Sequence, residues 1–164
     1  MAEGARPAPR LVIAVVGPAT CGDEQAALAR ALGQGVAERD AVLLATSASG
    51  IAAAAAAGAR AAGGLTVGLL PGARDAAAAA EFSLPLFTGL GDAVVGAAVS
   101  VGDALVAIGG GFGTLGQIGL FLRAKKPVVL VGSWRFSVDE VVPNLPRADD
   151  AEQALSLLWG ALGV

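Results

Sequence analysis

Six of the fifteen residues from Ile108 to Leu122, IGGGFGTLGQIGLFL, are glycine, and the one long polar side chain among them is an uncharged amide, Gln117. Glycine weakens helix and strand interiors by about 0.5–1 kcal/mol relative to alanine, so such a cluster implies a compensating use. The stretch follows the strand-like run ALVAI and opens a helix-like one. At that junction the first backbone amides of the helix have no internal partner, and the helix dipole adds partial positive charge. Without Cβ atoms at Gly109, Gly110, Gly111 and Gly113, a phosphate can approach those amides directly. Thr114 is placed either to cap the helix or to donate its hydroxyl to the same anion. Gly116 and Gly119 share a helix face and are expected to let it pack closely on the sheet. The competing reading assigns all these glycines to a tight turn and to packing.

Two better-known glycine patterns fit less well. Gly111, Gly113 and Gly116 spell G-x-G-x-x-G, but the dinucleotide fingerprint belongs after the first strand and needs an acid closing the next one. Here the next strand ends in VGSW. Gly111 and Gly116 also have Walker spacing, yet Gln117 and Ile118 stand where lysine and a hydroxyl residue are required. Histidine is absent, which excludes Ser-His-Asp and Cys-His catalysis and any His-ligated metal, and no metal site is expected. Cys21 lies near a helix start, where a thiolate is stabilised, but it has no histidine partner and reads as a small unreactive residue. The net charge is −3 and the one tight basic group is Arg123, Lys125 and Lys126, read as a solvated helix end, so no nucleic-acid partner is expected.

Positioning such a loop requires a rigid scaffold, and the sequence supplies one. Apolar runs of strand length occur at Arg10–Gly17, Ala41–Thr46, Leu65–Gly72, Leu84–Phe87, ALVAIGG and Pro127–Gly132, and helix-like runs separate them. The alanine-rich helix spans about Gly50 to Ala62, and the tail helix opens with Asp149 and Glu152 at capping-box spacing. Strands apolar throughout are buried on both faces, which means a parallel sheet covered by helices. The prediction is an α/β fold, one doubly wound, mostly parallel sheet with helices on both faces, over residues 10–164, preceded by a flexible arm at 1–9. Ligands of such sheets bind beyond the carboxyl ends of the strands, where strand order switches. Mean hydropathy is high at +0.68, and two stretches of nineteen residues, Ala41–Ala59 and Ala104–Leu122, carry no charge. Each breaks after a strand-length run, so neither is expected to span a membrane. MAEGARPAPR has no apolar core of signal-peptide length, and a cytoplasmic protein without disulfides is expected.

The segments VIAVVG, AGGLTVGLLPG, TGLG and VAIGGGFGTLGQIGLFLRAKKPVVLVGSW together resemble the LOG-like ("possible lysine decarboxylase") Rossmann family, over about Leu11 to Trp134. The similarity is greatest to the branch that includes molybdenum cofactor carriers. The family's GG-x-GT-x-x-E loop is matched at Gly110, Gly111, Gly113 and Thr114. Active LOG proteins cleave the N-glycosidic bond of nucleoside 5′-monophosphates with an arginine and a glutamate. In this chain the glutamate position is Gln117, the arginine position falls at or near Val94, and alanine stands near position 53, where an early helical glutamate is usual. An amide neither stabilises the cationic sugar nor accepts a proton, and loss of a general base costs about 10²–10⁴-fold in rate.

The resemblance therefore implies a binding protein for a nucleotide-like or pterin-like phosphate compound, a nucleoside monophosphate or phosphorylated pterin, with no cofactor required. Gly109, Gly110, Gly111, Gly113, Thr114 and Gln117 would line one side, and Gly17, Thr46, Ser47 and Ser49 the other. One alternative is a phosphoribohydrolase with a rearranged site using Asp92 and Arg74, although Asp92 reads more readily as a helix cap. Another is a structural or regulatory oligomer with no ligand. Trp134 is either a stacking partner for a ring or a partly buried lid. A homodimer or higher oligomer is expected.

Overall fold

The computed structural model describes residues 9–137 and 139–164, so apart from Pro9 the expected N-terminal arm lies outside the described residues. The strands are β1 (Val12–Val16), β2 (Val42–Ala45), β3 (Thr66–Leu70), β4 (Leu84–Phe87), β5 (Ala104–Ile108), β6 (Val128–Val131) and β7 (Arg147–Ala148). The helices are α1 (Asp23–Glu38), α2 (Gly50–Ala61), α3 (Ala76–Ala80), α4 (Val94–Val101), α5 (Phe112–Arg123) and α6 (Ala151–Leu162). All strand pairs are parallel, in the order β4-β3-β2-β1-β5-β6-β7. The expected doubly wound α/β sheet is thus present, with a two-residue seventh strand too short to leave a periodic signal.

Strands β2, β5 and β6 are buried at every position, as unbroken apolar runs require. Along β1 the side chains divide by parity: Ile13 and Val15 join a core under α1, α2 and α6, whereas Ala14 and Val16 join one under α4 and α5. β4 is the edge, and it tolerates Pro85 because no further strand needs that missing amide.

α1 and α2 pack almost backbone to backbone. A Cβ on Gly33 would lie 1.9 Å from the Ala55 carbonyl oxygen, and one on Gly58 would lie 2.0 Å from that of Arg30. The alanine run is the other half of this contact: Ala54, Ala55, Ala56 and Ala59 are all buried. Small residues here substitute backbone proximity for side-chain volume.

Three local expectations are corrected. Gly116 and Gly119 do not pack on the sheet; both face open space, because the buried face of α5 is Thr114, Gln117, Ile118 and Phe121, on the opposite side of the helix. The cap of α6 is Asp150, which accepts from the Gln153 amide at 2.8 Å, while Gln153 Oε1 accepts from the Asp149 amide at 2.8 Å; the box is one residue later than Asp149 and Glu152. Lys126 is not a solvated charge. Its ammonium donates to the carbonyls of Val99 (2.5 Å), Ser100 (3.3 Å) and Gly102 (2.5 Å), closing the C-terminus of α4.

Gly58→Ala should destabilise the fold by about 1–3 kcal/mol through overpacking. Gly119→Ala, a helical glycine with open space around it, should stabilise by about 0.5–1 kcal/mol. Chemical denaturation of the two variants beside the parent chain checks both signs.

Candidate functional site

Strand order switches sides between the parallel neighbours β1 and β5, whose register pairs Ile13 with Ala104 and Val16 with Ala107. The loops leaving these two strands flank the crevice in which such sheets bind ligands. After β5 the chain turns into α5, whose N-cap is Gly111. No side chain caps this helix, its first turn has no acid, and its first internal bond runs from the Leu115 amide to the Gly111 carbonyl at 3.0 Å. The amides of Phe112, Gly113 and Thr114 therefore have no partner among the described residues.

Of the other helices, α1, α3 and α6 are less open to an anion, whereas α2, like α5, has neither a side-chain cap nor an acid in its first turn. α1 carries Asp23 and Glu24 in its first turn. α3 and α6 are capped by the carboxylates of Asp75 and Asp150. In α2 the Ile51 amide donates to the Pro18 carbonyl at 3.2 Å.

The loop glycines divide by role. Gly109 has φ +65°, a left-handed conformation, while its amide donates to the Val131 carbonyl at 2.9 Å. A Cβ on Gly110 would lie 2.7 Å from Trp134 Nε1, so this glycine makes room for the indole. Trp134 Nε1 in turn donates to the Gly111 carbonyl at 3.1 Å. At Gly111 and Gly113 a Cβ would meet nothing within 4 Å, and these two leave the mouth of the helix open. Gly17 belongs to the packing instead: a Cβ there would sit 2.5 Å from the Ile108 carbonyl oxygen and 2.6 Å from Ile51.

Thr114 does not cap α5. It is the third helical residue, 3% exposed, and its hydroxyl has no hydrogen-bond partner among the described residues. Gln117, one turn further, is 8% exposed, and its Oε1 accepts from the Thr46 hydroxyl at 3.4 Å. This bond brings the end of β2 to the buried face of α5. Ser47 and Ser49 pair through their hydroxyls at 3.0 Å in the same turn. Thr46 and Ser47 also line a cleft of about 280 Å³ shared with Leu70, Pro71, Asp75 and Phe87.

Arg74 follows β3, a strand three positions, about 14 Å, from β5 across the sheet. Asp92 lies in a 3₁₀ turn, Gly91–Ala93, tied to β3 through the Gly91 amide and the Pro71 carbonyl at 3.1 Å. It is exposed and its side chain caps nothing, contrary to the expected cap, because the following helix begins directly from that turn. Val94 is 3% exposed in the core beneath α4, a place suited to an apolar side chain. Cys21 packs partly buried against the other core.

Sequence reasoning passed over Phe112. It is 85% exposed, and its ring centroid lies 5.7 Å from that of Trp134. An aromatic residue between glycines at a helix start was the available signal. A recess of about 470 Å³ lies between α1 and α6, lined by Glu38, Arg39 and Trp159, but it opens at the C-terminal end of α1, away from the switch in strand order.

Replacing Trp134 with phenylalanine removes the indole bond to the Gly111 carbonyl and keeps an aromatic ring. Stability should fall by about 0.5–1.5 kcal/mol, and amide exchange should rise in the loop around Gly111 more than in β5. Denaturation and hydrogen exchange measure the two effects.

Comparison with known proteins places this edge in a family context. The molybdenum cofactor binding protein from the phototrophic bacterium Rippkaea orientalis has the same fold, with a TM-score of 0.82 at 27% identity over 94% of this chain and 98% of that one. The molybdenum cofactor carrier protein of Chlamydomonas reinhardtii matches with a TM-score of 0.79 at 31% identity, over 94% of this chain and all of that one (100%). An uncharacterised protein of Archaeoglobus fulgidus is 33% identical over 140 residues, 80% of this chain and 91% of that one. These likenesses agree with the LOG-like, carrier-branch resemblance of the sequence. The SLOG cluster4 family model matches residues 10–156, and the chain belongs to the SLOG cluster4 family.

Proposed function

We infer that this protein binds a phosphate-bearing, pterin-like or nucleotide-like small molecule and holds it without cleaving it, as a carrier of the molybdenum cofactor type. The observation that carries this reading is the open N-terminus of α5: uncapped, free of acid, with unobstructed space at Gly111 and Gly113 and the hydroxyl-bearing Thr114 in the same first turn. A phosphate there would accept from the Gly113 and Thr114 amides and from the Thr114 hydroxyl. Support also comes from the two solved neighbours, one a molybdenum cofactor binding protein and the other a molybdenum cofactor carrier.

Gln117 supports the absence of hydrolysis. Its amide is buried and engaged with Thr46, so the position has no carboxylate to stabilise a cationic sugar or to activate water. Arg74 follows β3, separated from β5 by β2 and β1, which weakens the case for a rearranged hydrolase. Self-association and a cytoplasmic location belong to the same reading. The first is supported by exposed Leu90, just before the turn that leads into α4, and exposed Val101, its last residue. For location, no helix among the described residues is long and apolar enough to cross a membrane.

Native mass spectrometry of the protein incubated with nucleoside monophosphates should show the intact compound bound and give the subunit count. The Gly113→Val variant should keep the fold, because a side chain there meets open space, and should lose at least tenfold in affinity. Free base released with ribose 5-phosphate bound would make the protein a hydrolase and overturn the reading of Gln117. Retained affinity in the valine variant would move the ligand away from α5.

A further inference from the structure

We propose that Phe112, buttressed by Trp134, is a stacking ledge for the planar heteroaromatic ring of the ligand whose phosphate sits on the first turn of α5. The proposal rests on the carrier reading and adds the element that selects a ring.

The geometry has three parts. Helical side chains tilt toward the N-terminus, so Phe112, the first residue of α5, projects over the rim where the free amides open. Trp134 stands against it at 5.7 Å between centroids with the rings tilted by 36°, an arrangement that leaves most of the phenyl surface free, as the 85% exposure of Phe112 records. Trp134 is itself fixed, because its Nε1 donates to the Gly111 carbonyl and its edge fills the space beside Gly110. The ledge is thus attached to the same loop that presents the amides.

Other polar groups near the rim suit the anion rather than the ring. Thr114 and Gln117 are buried, and Gln117 is engaged with Thr46. An aromatic face beside an anion site selects molecules that carry both a phosphate and a flat heteroaromatic ring. Because every such ring has a π-face, nucleobases and pterins belong to one class here, and guanine, which shares an amino-oxo pyrimidine ring with pterin, is its convenient probe. Stacking of a base on an aromatic side chain contributes about 1–3 kcal/mol, which corresponds to roughly fivefold to more than a hundredfold in affinity.

Guanosine 5′-monophosphate and ribose 5-phosphate present the same phosphate with and without a ring. Calorimetric titration of both into the parent chain, F112A and F112W tests the ledge. The parent chain should bind the nucleotide at least fivefold more tightly than the sugar phosphate. That preference should vanish in F112A and persist in F112W, while ribose 5-phosphate affinity stays level in all three. Equal affinity for both compounds in the parent chain, or a preference untouched by F112A, would overturn the ledge and leave the phosphate reading standing. A smaller oligomer in F112A with unchanged nucleotide affinity would assign Phe112 to a subunit contact and also overturn it. Binding of neither compound by the parent chain would overturn the carrier reading and the ledge with it.

Discussion

The pairing of β1 with β5 is the constraint on which the candidate site depends. Two halves of the chain that are distant in sequence meet along this ladder, and the helices that follow them leave toward opposite faces of the sheet. Right-handed crossovers then fix where each helix begins, at the carboxyl edge beside the junction. The α5 N-terminus lies there because β5 must be central: all five of its residues are buried, so it needs a strand on either side and a helix layer on each face. The bond from the Gly109 amide to Val131 and the indole bond to Gly111 hold the turn that follows.

Glycine serves unlike purposes along this chain, and the distinction separates structure from binding. Gly33 and Gly58 let two helices meet at their backbones. Gly17 and Gly110 make room for Ile51 and Trp134, respectively. Gly109 supplies a left-handed turn. Gly111 and Gly113 share open surroundings with several surface glycines, and what sets them apart is their place at the uncapped start of α5. The open pair adjoins the helix mouth, and the chemistry follows from that coincidence: neutral backbone donors and a dipole, while the Arg147 guanidinium donates to the carbonyls of Ser133 and Trp134.

Most of the fold was legible in the sequence because its signals are local and redundant. Unbroken apolar runs such as ALVAI and PVVLVG require burial on both faces, and alanine-rich or charged segments between them have helical composition. The two-residue β7 was not legible, since so short a strand exists only through its pairing with β6. The roles of individual glycines were equally hidden. Gly116 and Gly119 share a face, but which face turns inward is decided by Ile118 and Phe121. Gly110 depends on Trp134, which lies 24 positions later in the chain and approaches only through the β5–β6 pairing. The loop was legible as a helix start with open amides because helix-start chemistry is local. The bond between Thr46 and Gln117 was not, because it spans 71 residues and needs the tertiary fold.

The central claim is that an anion is held by backbone amides at the start of α5. Amide-resolved NMR of the isotopically labelled protein during titration with guanosine 5′-monophosphate tests it most directly. The account expects the largest shifts at the Gly113 and Thr114 amides, with little change at Gly35, Arg39 and Gly160 beside the recess between α1 and α6. Shifts concentrated at that recess, or around Arg74 and Asp92, with the α5 amides unmoved, would contradict it.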